Sequence, residues 1–155
     1  MILTEASDAF ATIGFNFIVK DLSNSSDLWD SLDADQVDMW AAAWGATVDP
    51  DMYQIYHSSN VVGLPGSTGS NHYNIQDPDL DEMILDARAS TDQAYRKVMY
   101  KACLVTIIDW AVEIPVYQRQ NAIIFSAERV NLDTVTPDIT TFYGWMSEVE
   151  NTLMK

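Results

Sequence analysis

Between Ser90 and Val112 apolar residues recur every three or four positions: Ala94, Val98, Ala102, Val105, Ile108 and Val112 mark one face, and Tyr95, Met99, Leu104, Ile107 and Ala111 broaden it. A stripe that wide suits a helix covered over most of its circumference, so the pattern predicts a central buried helix, opened by a capping box of Ser90 and Gln93. The helix stops at Glu113-Ile114-Pro115, because proline lacks the amide a helix interior needs, and Pro115-Val116-Tyr117 then suits an edge strand or a bend. Cys103 falls inside the apolar pattern and reads as a small buried hydrophobe; as the one cysteine of the chain it closes no internal disulfide.

Two further segments announce helices: Asp49-Pro50-Asp51, leading into Met52 to Tyr56, and Asp77-Pro78-Asp79, leading into Leu80, Met83, Ile84 and Ala87. Each offers a carboxylate cap, proline at the first helical position and a second acid where the helix dipole is positive. Residues 57 to 76 between them collect glycine, serine, asparagine and proline and read as a long loop, functional or mobile. Upstream the period changes from helical to alternating. Ile13, Phe15, Phe17 and Val19 alternate with Gly14, Asn16, Ile18 and Lys20; a short helix over Asp27 to Leu32, capped by Ser25 or Ser26, follows; then Val37, Met39, Ala41 and Ala43 alternate with Asp38, Trp40, Ala42 and Trp44. Strand, helix and strand in that order favour a right-handed parallel crossover, and Ala122 to Phe125 adds a further short strand.

The chain has 155 residues, 48% of them apolar, enough for one ordinary core, and 23 acidic against 8 basic residues give a net charge of −15. That charge repels nucleic-acid phosphates and anionic membrane surfaces, and otherwise speaks of a solvated surface. No apolar run reaches bilayer-spanning length and no export signal precedes the first helix; Met1-Ile2-Leu3-Thr4 looks like the middle of a helix without its cap, as a truncated longer chain would.

Catalytic patterns are weak, and no catalytic or metal-binding residue is assigned. His57 and His72 sit in or beside one loop without the one-turn spacing of a zinc pair, no serine lies in a nucleophile elbow, and the carboxylates Asp79, Asp81 and Glu82 belong to a helix first turn. Gly63, Gly66 and Gly69 lack the lysine of a phosphate loop. The informative segment is Trp40 to Pro50, where the chain leaves an expected strand and enters a capped helix, the usual ligand position in an open α/β sheet. Small residues at 41 to 43 and Gly45 permit close approach, and Trp44 offers a wide apolar surface with one donor; a tryptophan packed against a helix fits the pattern equally well.

This segment, with Ile13-Gly14-Phe15-Asn16-Phe17, Val37-Asp38-Met39-Trp40, Trp44-Gly45-Ala46, Asp49-Pro50-Asp51, Gly69-Ser70-Asn71, Asp77-Pro78-Asp79-Leu80-Asp81 and Glu113-Ile114-Pro115-Val116-Tyr117, resembles the C-terminal region of the oligopeptide- and dipeptide-binding proteins (extracellular solute-binding, family 5) of bacterial ABC importers over nearly its whole length. The resemblance implies an α/β fragment of a bilobed type II periplasmic-binding fold, a mixed sheet flanked by helices. Residues 1–155 would form a single domain, the later part of a larger solute-binding protein, with most of one lobe and the return strands. It implies an extracytoplasmic, non-catalytic receptor without a cofactor, anchored as a lipoprotein in the parent chain, whose partners are a small peptide or similar solute and a membrane permease.

The same resemblance places Trp44, Gly45, Ala46, Thr47 and Asp49 along the cleft and lets Asn71, Tyr73 and Tyr117 border it. Thr47 stands where relatives often carry the aspartate that receives a peptide's free amino group. A neutral hydroxyl makes no charge-assisted bond to an ammonium, so a sugar, opine or metal chelate is the alternative ligand unless Asp49 substitutes. With half a cleft, this chain is expected to bind solute weakly and to self-associate through exposed apolar surface. The rivals from other classes are a small hydrolase using carboxylates near Trp44, which requires one raised pKa, and an aromatic protein-interaction module.

Overall fold

In the computed structural model every residue is described except Met1, Ser23, Ala46, Arg119, Asn121, Asp138, Ile139 and Thr141. The chain divides into two compact units, Met1–Trp40 and Ala41–Lys155. In the first, helix α1 (Ile2–Ala11) ends in a turn at Gly14, whose φ of 83° favours a residue without a Cβ. The turn folds the chain back on α1. Phe10 stacks on Phe17 with ring centroids 5.4 Å apart and meets Phe15 at 5.8 Å, while the Ser7 hydroxyl donates to the Phe17 carbonyl at 2.7 Å. Helix α2 (Ser25–Asp33) is capped by the Asn24 side chain, which accepts from the Ser26 amide, and it stops at Ala34 and Asp35, the latter left-handed at φ 54°. Trp29 of α2 meets Trp40 edge-on, centroids 6.0 Å apart.

The second unit holds the short helix α3 (Tyr53–Tyr56), a 3-10 turn at Ser58–Asn60, helix α4 (Pro78–Ala89) and helix α5 (Gln93–Trp110). Asp77 caps α4 by accepting from the Asp79 and Leu80 amides, with Pro78 opening the helix, as its sequence predicts. The core is the contact of two stripes: Leu80, Ile84 and Ala87 on α4 against Tyr100, Cys103 and Ile107 on α5, closed at one end by Ile75. Cys103 is buried there, in agreement with its sequence reading.

The stretch from 57 to 76 is a fixed loop. Its amide and carbonyl groups at Asn71 and Asn60 bond at 2.9 Å beside an isolated parallel bridge between Val61 and Asn71. The fully buried Asn71 side chain donates to the carbonyls of Ile75 (3.0 Å) and His57 (3.3 Å), and Asn60 donates to that of Tyr53 at 2.8 Å. Asp81 of α4 accepts from the Ser58 amide at 2.8 Å and from its hydroxyl, tying the loop to the core helix. Near the C-terminus, 3-10 turns at Leu132–Thr134 and Trp145–Asn151 accompany one antiparallel bridge between Val130 and Met154, and Phe125 meets Trp145 edge-on at 5.6 Å.

The expected α/β fold, a mixed sheet flanked by helices in a fragment of a bilobed type II periplasmic-binding fold, is overturned: among the described residues there are helices and two isolated bridges but no sheet. Residues 13–20, 37–44, 113–117 and 122–125 carry no strand, and the parallel crossover is absent with them. Alternation decides which side chains share a face; a strand also needs a second extended backbone about 4.8 Å away, and among the described residues these segments form no ladder. In residues 13–19 the shared face serves a helix instead, since Phe15 and Phe17 both reach Phe10 of α1.

Two local expectations change for similar reasons. The buried face of α5 is that of Tyr100, Cys103 and Ile107, while Val98, Val105 and Ile108 are exposed, because a single neighbouring helix covers only a stripe of the broad apolar surface. The cap of α5 is Asp92, whose carboxylate accepts from the Ala94 and Tyr95 amides, and Ser90 instead accepts from the Asp92 amide at 3.1 Å. A charged acceptor at a positive helix end outcompetes the hydroxyl.

Ile84→Ala removes a fully buried side chain facing α5 and is expected to lower unfolding free energy by about 2–5 kcal/mol in urea denaturation. Ala111, the residue that terminates α5, is left-handed at φ 53°, a conformation costly for a residue with a Cβ. Ala111→Gly is expected to raise stability by up to about 1 kcal/mol in the same measurement.

Candidate functional site

Three pieces of the second unit gather about a carboxylate carried by a fourth. Tyr56 is the last residue of α3, Tyr73 comes from the loop before α4, Trp44 from the irregular chain ahead of Asp49, and Glu113 from just beyond the left-handed turn at Ala111 that ends α5. Tyr56 donates its hydroxyl to Glu113 Oε1 at 2.7 Å and stacks on Tyr73, ring centroids 5.7 Å apart and planes within 10°. The Tyr73 hydroxyl also donates to Glu113 and accepts from the indole N–H of Trp44. Although it is only four residues long, α3 holds its position: Asp51 accepts from the Tyr53 amide at 3.0 Å and pairs with Arg88 at 3.1 Å, and the Arg88 guanidinium lies 4.2 Å over the Tyr53 ring.

Burial pushes both tyrosine hydroxyls well above their ordinary range, and hydrogen bonding to the Glu113 carboxylate pushes them further the same way. Both phenols therefore stay neutral donors. The cluster is a carboxylate held by the hydroxyl edges of two neutral phenols whose ring faces stack on each other, a polar group set against aromatic surface.

The other expected site residues lie apart from this cluster. Asp49 is bound by Arg96, whose Nη2 approaches its carboxylate oxygens at 2.7 and 2.8 Å, and this bond lowers the Asp49 pKa. An acid held ionised by an arginine is not the proton donor that a hydrolase near Trp44 requires. The Thr47 hydroxyl donates to the Asp49 carbonyl at 2.7 Å. Gly45 is exposed with open space where a Cβ would stand, so no close approach accounts for it, and Ala46 lies outside the described residues. Asn71 is a buried loop pin, and Tyr117, 77% exposed, stands on the irregular chain after Pro115. Trp44 and Tyr73 are thus brought together, and Tyr56 and Glu113 are members that sequence reading missed. Tyr56 appeared only as the end of a capped helix and Glu113 only as a helix stop.

The loop carries a serine, a histidine and an aspartate at short range, but in a structural arrangement. His57 Nδ1 accepts from the Ser59 amide at 3.1 Å, lies 2.9 Å from the Ser59 hydroxyl and 3.7 Å from Asp81 Oδ1. A nucleophile relay needs serine and carboxylate on opposite ring nitrogens, and here both address the same one. Among the described residues no group of three histidine, cysteine or acidic side chains is placed to hold a metal, and no helix is long and apolar enough to cross a membrane.

Because the two tyrosines have raised pKa values, the folded protein binds more protons than the unfolded chain above the ordinary tyrosine value of 10.0, so their contribution is constant below that pH and falls as pH rises beyond it. Ultraviolet titration of the phenols is expected to show this delayed ionisation, and Glu113→Gln should bring it to lower pH by removing the charge that opposes it. Comparison with family models, curated proteins and solved structures returns no match for this chain.

Proposed function

We propose that this protein is a non-catalytic solute-binding component of an ABC importer, acting outside the cytoplasm and handing an oligopeptide, dipeptide or similar small solute to a membrane permease. One observation carries the reading: Trp44 and Tyr73, both assigned to a ligand surface from sequence, lie on one hydrogen-bonded chain with Glu113 and Tyr56. Binding sites of this kind combine aromatic walls with a few converging polar groups. The resemblance of the Trp44 to Asp51 segment and of Glu113 to Tyr117 to peptide-binding proteins of importers supplies the uptake role.

Against a catalytic alternative stands the engagement of the nearby acids. Asp49 is held by Arg96, and the Asp77 pKa is lowered first by a 3.0 Å bond from Trp110 Nε1 and then by the Leu80 amide it caps. A non-peptide solute is the second reading, favoured by the neutral Thr47 and by Asp49 being already paired.

Thermal unfolding of the chain with short peptides, sugars and metal chelates separates these readings. A ligand present at about a hundred times its dissociation constant stabilises by about 2.7 kcal/mol, a shift of several degrees for a chain of this size. Peptides are expected to raise the midpoint and to do so less after Trp44→Ala. A rise with sugars or chelates alone would transfer the assignment to a non-peptide receptor; a flat response to every class would refute solute binding by this chain and favour an interaction module.

A further inference from the structure

We propose that His57 is a proton-operated latch of the 57–76 loop: neutral, it holds the turn at Ser58–Asn60 closed, and protonated, it releases the Ser59 amide and turns to Asp81. The latch belongs to the loop that carries Tyr73 and stands or falls apart from any solute the chain binds. His57 precedes the 3-10 turn, and its Nδ1 accepts from the Ser59 amide at 3.1 Å. A backbone amide only donates, so Nδ1 is bare and the proton of the neutral imidazole sits on Nε2. The Ser59 hydroxyl, 2.9 Å from the same nitrogen, has a choice that the amide lacks: it donates to a bare Nδ1 and can accept from a protonated one. A proton added at Nδ1 therefore sets two N–H groups against each other, and the amide is the one that must leave.

An acceptor for the new N–H is already in place. Oδ1 of Asp81, the oxygen that accepts from the Ser58 amide, lies 3.7 Å from Nδ1, and the His57 side chain is 12% exposed, so salt screens their attraction little. From α3 the Tyr53 ring lies 4.4 Å from the imidazole; the Arg88 cation, 4.2 Å from that ring, is itself paired with Asp51. Asp81 is thus the charge that an imidazolium would meet directly. The buried Nε2–H has no acceptor among the described residues, but it is present in both charge states and does not decide between them. Imidazole ordinarily changes charge between about pH 5 and 8, above the range where carboxylates titrate. The latch reaches the candidate site through Asn71, whose side-chain amide donates to the carbonyls of His57 at 3.3 Å and Ile75 at 3.0 Å and so brackets Tyr73.

Nuclear magnetic resonance of the nitrogen-15-labelled chain from about pH 8 to about pH 5 tests this. A nitrogen–nitrogen coupling across the hydrogen bond between the Ser59 amide and His57 Nδ1 is expected at the upper pH and should vanish as the ring protonates. The Ser59 amide shift should follow the His57 ring with the same midpoint, and the Tyr73 ring signals should move with it. His57→Asn places an oxygen where Nδ1 stood, a good cap for the turn that carries no titrating proton, and should hold the Ser59 shift constant over the range. His72→Gln, at the other histidine of the chain, should leave the response in place. A His57 ring still neutral at the lower pH, a Ser59 amide indifferent to the ring's titration, or a response that survives His57→Asn overturns the latch. A Tyr73 ring unmoved while Ser59 responds overturns its link to the candidate site.

Discussion

The contact between α4 and α5 is the constraint on which the second unit depends. Leu80, Ile84 and Ala87 stand four and three residues apart, Tyr100, Cys103 and Ile107 three and four apart, so each set forms one stripe, and the short connection between Ala89 and Gln93 brings the stripes face to face. Burying these side chains removes apolar surface from water at about 25 cal/mol per Å². The polar loop is secured to the same pair through Asp81, which lies on α4 one residue after Leu80 and accepts from Ser58. Loss of the helix contact would therefore release the loop, and with it the support of Tyr73.

The candidate site is assembled from the margins of this pair. Glu113 follows α5 by way of the left-handed Ala111, and α3, which carries Tyr56, is joined to α4 through the Asp51 to Arg88 ion pair and the Arg88 to Tyr53 stacking. Exposed ion pairs contribute little free energy individually, so their part here is to position side chains rather than to stabilise the unit. The bond from Tyr56 to Glu113 links positions 57 residues apart in sequence. Such a link costs loop-closure entropy, which the packed helices have already met.

Asn60 and Asn71 use side-chain amides to satisfy carbonyls inside a loop without a sheet ladder, a stabilising role that sequence alone confuses with ligand contact because both call for a small polar residue. Asp49 shows the same ambiguity. Its Asp-Pro-Asp context predicts a helix cap, but the helix begins at Tyr53 with Asp51 as the acceptor, and Arg96 from α5 takes the freed carboxylate. A local motif states what a residue can bond to, and the neighbour that arrives decides which bond forms.

Local chemistry in the sequence determined the start of α4 at Asp77 and Pro78, the end of α2 near Asp33, the burial of Cys103, the length of α5 to within its first turn, and the surplus of negative charge. Caps, proline and helical periodicity depend on residues within a turn or two of each other, so they are legible in a chain read linearly. Tertiary structure alone decided that the alternating runs remain without ladders, that α5 buries Tyr100, Cys103 and Ile107 rather than Val98, Val105 and Ile108, and that Tyr56 and Glu113 join Trp44 and Tyr73. Each of those outcomes requires a partner distant in sequence, and periodicity records a side chain's face without recording what comes to cover it.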